Sequence, residues 1–342
     1  MHPRYRKQAL FSGLGEAGQN RLEQSRAVLI GCGALGSVIA QTLVRAGVGF
    51  LRIVDRDFVD LSNLQRQVLY DEQDVAERLP KVIAARKKLT AINSEVTIEA
   101  HVADVSWTNI RSLVEGCELI LDGTDNFEIR YLINDVSLET GIPWVNGGCI
   151  GAHGQVMPIF PGKTPCLRCL MSEIPEPGST ETCDTAGVIG PAVNVIASLQ
   201  SVEALKILSG KPELAEPVLT VVDVWEGTWR RLKLSDSMRD SCPACSRGER
   251  LWLGGKRGAQ SVVLCGRNSV QIAPGERLRF TLADMSSRLT GHGTVRVTPF
   301  LLIYRPDSSD IEITLFADGR AIISGTSDPV RAKSLYAQYI GN

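Results

Sequence analysis

Two CxxC pairs, Cys166/Cys169 and Cys242/Cys245, and one glycine-rich turn carry most of the chemistry available to this chain. Four thiolates arriving as two tight pairs suit the tetrahedral shell of Zn²⁺, and a shell closed in that way leaves no position open for a substrate. The expected zinc is therefore a staple between two distant stretches of one domain. Upstream, Gly31-Cys32-Gly33-Ala34-Leu35-Gly36 satisfies GxGxxG between an apolar run and a helical pattern. In that setting backbone N–H groups at a helix start can cradle phosphate. Asp55 closes the next apolar run, where a carboxylate accepts hydrogen bonds from ribose hydroxyls. To this point a nicotinamide dehydrogenase and an ATP-using enzyme fit equally well.

The residues after Asp55 separate the two. Asn63 and Arg66 follow it closely, and Lys81 opens a helix directly after Pro80. Hydride transfer has no use for such a cluster. Transfer at phosphorus does, because charge on the nonbridging oxygens must meet prepositioned donors and cations.

The elements that must hold these residues alternate. Apolar runs at Ala27–Ile30, Phe50–Val54, Val96–Ala100, Leu119–Leu121 and Trp144–Asn146 read as strands. Helical spacing covers Ser37–Ala46, Lys81–Ile92, Tyr131–Glu139 and Pro191–Leu208. The alternation predicts an α/β, doubly wound, largely parallel Rossmann-like sheet, with ligands at the carboxyl ends of the strands. The glycines of the first turn break its apolar stretch, so no membrane span is expected there.

Composition agrees with a globular enzyme: 342 residues, 44% hydrophobic and 22% charged, leave room for roughly two domains. A net charge of −1 gives no global field for nucleic acid or membrane. The amino terminus lacks the pattern of a signal peptide, and nine cysteines with four in metal-type pairs point to reduced thiols and a cytoplasmic setting. Cys32, Cys117, Cys149 and Cys265 read as small core residues.

Taken together, residues 4–246 resemble the ThiF/MoeB/HesA family of adenylyltransferases, which activate ubiquitin-like sulfur carriers and are homologous to ubiquitin-activating enzymes. The resemblance rests on Gly31 to Gly36, the run Asp55-x-Asp57-x-x-x-x-Ser62-Asn63-Leu64-x-Arg66-Gln67, Pro80-Lys81, Asp122-Gly123-Thr124-Asp125-Asn126, both CxxC pairs, and Thr182-Cys183. It implies that Gly31, Gly33, Ala34, Leu35, Gly36, Asp55, Asp57, Asn63, Arg66, Lys81, Asp125 and Asn126 line the ATP site. Asp55 would hold the ribose, Asn63, Arg66 and Lys81 the triphosphate, and Asp125 a Mg²⁺ ion. The implied reaction is attack by the carboxylate of a carrier's Gly-Gly tail on the α-phosphate of ATP, ahead of sulfur transfer in thiamine or molybdenum cofactor biosynthesis. Cys183 is the candidate for a covalent link to the carrier. The family also implies a homodimer in which a basic residue near the amino terminus reaches the partner's site; here Lys7 and Arg6 are the candidates.

Residues 247–260 read as a linker, polar and glycine-rich apart from Leu251-Trp252-Leu253. Residues 261–342 read as a small α+β domain of unassigned role: a hairpin, a helix near Leu282–Leu289, four antiparallel strands with Asp318-Gly319 as the last turn, and a helix over Val330–Tyr339. This stretch lacks the cysteine-bearing loop of a rhodanese, so an external sulfur donor such as a cysteine desulfurase is expected. Two alternatives stand beside carrier adenylation. One is a related enzyme that activates a carboxylate on modified tRNA, and the other is a noncatalytic partner subunit.

Overall fold

The computed structural model describes residues 2–175, 183–256, 261–264, 268–272, 281–307 and 309–341. The chain divides into two compact units, Met1–Arg257 and Gly258–Asn342.

The first unit is built on one eight-stranded sheet in the order β3-β2-β1-β4-β5-β6-β7-β8. Strands β1 (Arg26–Ile30), β2 (Phe50–Asp55), β3 (Thr97–Val102), β4 (Leu119–Asp122) and the start of β5 (Trp144–Ile150) run parallel. β1 and β4 are apolar at successive positions because both sheet faces are covered there, whereas the edge strand β3, Thr-Ile-Glu-Ala-His-Val, alternates. Within β1, Ala27 and Leu29 join one core cluster while Val28 and Ile30 join the other. The helix Ala34–Ala46 belongs to the first cluster, together with Lys81–Ile92 and Gly190–Leu208, and Phe127–Thr140 belongs to the second.

The sheet ends in three antiparallel strands that the sequence reading did not anticipate: β6 (His153–Ile159), β7 (Val218–Asp223) and β8 (Thr228–Lys233). β8 is exposed at every position and carries Arg230, Arg231 and Lys233, charges that discourage edge pairing with other chains. Of the stretch expected to be a linker, Trp252 and Leu253 are buried in the second core cluster, and the Tyr131 and Trp252 rings lie 4.4 Å apart.

The second unit carries a six-stranded antiparallel sheet in the order β11-β12-β13-β14-β10-β9. Its strands are β9 (Ser261–Leu264), β10 (Ser269–Ile272), β11 (Gly293–Val297), β12 (Leu301–Pro306), β13 (Glu312–Phe316) and β14 (Ala321–Ser324). Helices Leu282–Leu289 and Pro329–Tyr339 contribute Met285, Leu289, Ala332 and Tyr336 to its core, beside Val270, Tyr304 and Ile313. Cys265 lies outside the described residues.

In the first unit, β1 and β4 are neighbours, and the turns that follow them meet backbone to backbone. A Cβ added to Gly36 would stand 2.1 Å from the Gly31 carbonyl oxygen, and one added to Gly123 would stand 2.4 Å from the same atom. Neither obstacle is a side chain that can swing away. Gly36→Ala is therefore expected to cost about 1–3 kcal/mol, lowering Tm by roughly 2–10 °C in a thermal melt. An unchanged Tm would show that this packing tolerates a methyl group.

Candidate functional site

The glycine turn begins with Gly31, whose φ of 88° requires glycine, and whose N–H donates to Val54 O at 2.8 Å. Gly33 caps the helix Ala34–Ala46 without any side-chain hydrogen bond. The first-turn N–H groups of that helix have no intrahelical acceptors, which is the arrangement that receives an anion. Space exists for one: the nearest side-chain atom to a Cβ at Gly33 would be Gln67 Nε2, 3.8 Å away.

Asp55 stands beside this turn. Its carboxylate accepts from Cys32 N and Asp57 N, both at 2.7 Å, so the backbone fixes its direction. Burial pushes its pKa up, the Lys81 cation pulls it down, and Asp57 raises it again, with the net effect upward.

Lys81 reaches the same place by a different route. Phe58 and Pro80 form an isolated antiparallel bridge, Val59 N donates to Leu79 O at 2.9 Å, and Lys81 N donates to Asp57 O at 2.9 Å. The lysine is 4% exposed, and its Nζ lies 3.2 Å from Asp57 Oδ2. Asp57, expected to line the nucleotide site, is also the ion-pair partner of this buried lysine.

Asn63 and Gln67 sit one helical turn apart, with Gln67 N donating to Asn63 O at 3.0 Å. Both are buried, and Asn63 Oδ1 and Gln67 Oε1 have no hydrogen-bond partner. Unpaired buried amides beside a phosphate cradle are groups waiting for a ligand or its waters. Arg66 donates through Nη1 to Ser62 O at 3.0 Å and stays half-buried. A Cβ on Gly190 would lie 3.9 Å from Arg66 Cα, so the long helix Gly190–Leu208 starts against this arginine.

The loop after β4 completes the site. Asp122 is fully buried, and Asp125 is exposed. Asn126, expected to touch nucleotide, caps the helix Phe127–Thr140 through its Oδ1, which accepts from Glu128 N at 2.8 Å.

Two contributors escaped the sequence reading. Tyr70 is buried and donates its hydroxyl to Cys32 O at 2.6 Å, which pins the glycine turn from behind. Gln67 stands at the mouth of that turn. Gln67 closes the run that carries the resemblance but was given no role there, and Tyr70 lies beyond that run; neither residue type announces phosphate chemistry.

Arg6 and Lys7 are exposed on a short helix that is anchored elsewhere. Tyr5 OH accepts from Asn93 Nδ2 at 2.8 Å, and Arg4 Nη1 donates to Ile92 O at 3.1 Å. Ile92 ends the helix that Lys81 begins, about 17 Å away along its axis. Cys183 opens the short helix Cys183–Ala186, and its side chain lies outside the described residues.

The four paired cysteines converge. All four sulfurs lie within 4.8 Å of one another, with Cys166–Cys242 and Cys169–Cys245 at 3.7 Å and Cys166–Cys169 at 3.8 Å. A tetrahedron with zinc–sulfur bonds of about 2.3 Å has edges of about 3.8 Å, so the donor set fits Zn²⁺. Cys166 N and Cys245 N each point at a sulfur of their own pair, contacts that steady thiolates.

Comparison with known proteins agrees with this geometry. The ThiF family matches residues 5–244. Sulfur carrier protein ThiS adenylyltransferase of Bacillus subtilis (strain 168) is 43% identical over 342 residues, covering 100% of both chains. Sulfur carrier protein adenylyltransferase of Thermus thermophilus is 38% identical over 247 residues, 71% of this chain and 90% of that one. Among solved structures, E. coli MccB with ATP superimposes with a TM-score of 0.63 at 22% identity, covering 72% of this chain and 75% of that chain, a likeness of fold.

Two measurements test the site. Because burial raises the Asp55 pKa, nucleotide affinity should fall with decreasing pH before the ordinary carboxylate range is reached, and Asp55→Asn should erase that acid limb. A titration by equilibrium binding decides; an acid limb that persists in the variant assigns it to another group. Metal analysis should find about one zinc per chain, and chelation should lower Tm. Under half an equivalent, with melting unmoved by chelator, would remove zinc from the fold.

Proposed function

The chain belongs to the ThiF family, and on that premise we propose that it is an ATP-dependent adenylyltransferase acting on the terminal glycine carboxylate of a ubiquitin-like sulfur carrier protein. One observation carries the reading. At the carboxyl ends of the neighbouring strands β2, β1 and β4 an amide cradle, a buried lysine and an exposed carboxylate loop come together. They do so in a chain alignable end to end with an enzyme named for adenylating such a carrier.

In the proposed reaction a carboxylate oxygen of the carrier bonds to the α-phosphorus of ATP. The bond from that phosphorus to the α–β bridging oxygen breaks, and pyrophosphate leaves with the electron pair. A carboxylate is ionised at neutral pH, so no general base is needed. The obstacle is repulsion between two anions. The amides of the glycine turn, with Arg66 and Lys81, lower it by holding the phosphates and offsetting their charge. Asp55 orients the ribose. Asp125 is the residue that would hold Mg²⁺, whose charge screens the triphosphate when bound.

The outer sulfur of a persulfide, brought by an external donor such as a cysteine desulfurase, then bonds to the acyl carbon and AMP leaves with the electron pair. Cys183, the candidate thiol of this chain, cleaves the resulting acyl disulfide, releasing the carrier thiocarboxylate and leaving a disulfide between Cys183 and the donor. Lys7 and Arg6, whose neighbours Arg4 and Tyr5 are tied to the end of the helix Lys81–Ile92 remote from Lys81, are assigned to the site of a second copy. Catalysis and zinc belong to residues 1–246, and residues 261–342 are given no step. The reading places the enzyme in the cytoplasm, and no helix among the described residues is long and apolar enough to cross a membrane.

Carrier-dependent ATP–pyrophosphate exchange tests this function. Wild type should exchange with a Gly-Gly-ended ubiquitin-like protein present, and Asp125→Ala should lose about 100-fold or more. Cys183→Ala should retain exchange yet lose thiocarboxylate formation if its thiol carries sulfur. No exchange with any carrier of this type would defeat the proposal.

A further inference from the structure

Asp125 is exposed at the tip of the loop after β4, and an exposed side chain on a loop is a poor anchor unless the loop itself is held. Gly123 N donates to Ile30 O and Gln200 Nε2 to Asp122 O, both at 2.8 Å, at the start of the loop, and one residue on the next helix holds it further along. Arg130 donates through Nε to Asp122 Oδ2 at 3.0 Å and through Nη2 to Thr124 O at 2.7 Å. Asp122 Oδ1 in turn accepts from Thr124 N at 2.9 Å and from Thr124 Oγ1 at 2.7 Å. The three residues form a closed ring that fixes both the start of the loop and the residue directly before Asp125.

The base of this clamp is rigid. The helix Phe127–Thr140 is tied on its other side to the segments bearing the cysteines. Asn134 Oδ1 accepts from Leu167 N at 3.0 Å, Asp135 Oδ2 accepts from Trp252 N at 3.0 Å, and Tyr131 OH donates to Met171 O at 2.9 Å. Asp122 is fully buried and the Arg130 side chain is 11% exposed. A buried pair of this kind adds little net stability over an apolar replacement, so its use lies in the geometry it enforces.

We propose that Arg130 is a positioning residue for magnesium–triphosphate binding, acting through Asp125. The inference rests on the adenylation reading given above. Lysine at this position would keep a cation against Asp122 but could not also span to the Thr124 carbonyl, whereas arginine's planar fork makes both contacts at once.

The test is the Mg²⁺ dependence of carrier-stimulated ATP–pyrophosphate exchange in the full chain, with wild type, Arg130→Gln, Arg130→Lys and Asp125→Ala. Thermal melting and binding of ATP without Mg²⁺ serve as controls. Arg130→Gln should raise the half-saturating Mg²⁺ concentration by about 10–100-fold, the range seen when a partner of a metal-binding residue is removed. Its rate at saturating Mg²⁺ should fall far less, and Arg130→Lys should lie between it and wild type. A merely structural role would lower Tm or rate without moving the Mg²⁺ midpoint. Should Arg130→Gln not fold, the lysine variant decides, since an unshifted midpoint there overturns the proposal. If Asp125→Ala shifts the midpoint and neither Arg130 variant does, the inference fails while the adenylation reading stands. If Asp125→Ala leaves it unmoved, the metal role of Asp125 fails and the inference with it.

Discussion

A single carbonyl oxygen, that of Gly31, organises the nucleotide end of the first unit. It lies where side chains on Gly36 and on Gly123 would otherwise be, so the turn after β1 and the turn after β4 pack main chain against main chain. That approach brings the first-turn amides of one helix beside the loop that presents Asp125, with no intervening layer of side chains. The strand order β2-β1-β4 then sets Asp55 on the other flank of the same amides. The site is therefore a property of three neighbouring strand ends and of the glycines that let them close.

How much of this could be read from the chain alone depended on where the information resides. The parallel strands were legible because burial on both faces demands consecutive apolar residues, as in Val28-Leu29-Ile30 and Leu119-Ile120-Leu121. In the second unit, amphipathic runs bounded by turns such as Asp318-Gly319 gave up nearly every element. The antiparallel strands β6 to β8 were not legible. β6 contains Gly154 and Pro158, and β8 reads Thr-Trp-Arg-Arg-Leu-Lys with no buried face at all, so the period of two leaves no trace in hydrophobicity.

The site showed the same division between type and role. Cysteine spacing foretold a four-sulfur cluster, and the distances fit it. Charged types near Asp55 raised the expectation of a polyanion site. Yet Asp57 proves to be the counter-ion of Lys81, Asn126 a helix cap, and Tyr70 a prop behind the glycine turn. The Asp57 and Tyr70 roles depend on contacts across the fold, such as the Phe58–Pro80 bridge that delivers Lys81, and pattern reading along a chain does not see such contacts; the Asn126 cap is local, made to Glu128 N.

The balance of charge among the assigned residues bears on how the proposed chemistry would bring two anions together. Lys81 sits against Asp57, and Asp55 and Asp125 add two further carboxylates, while Arg66 is the other cation assigned to the triphosphate. Such a set does not attract a triphosphate by net charge. It attracts one through the directed dipoles of the helix start, and those fall off within the first turn. An approaching carrier carboxylate adds one more negative charge to the same space. The adenylation reading therefore calls for positive charge from outside this set, which a divalent ion at Asp125 and a basic segment from a second copy would each supply. The segment holding Arg6 and Lys7 is tied through Arg4 and Tyr5 to the far end of the Lys81 helix, which on the adenylation reading suits delivery to the site of a second copy.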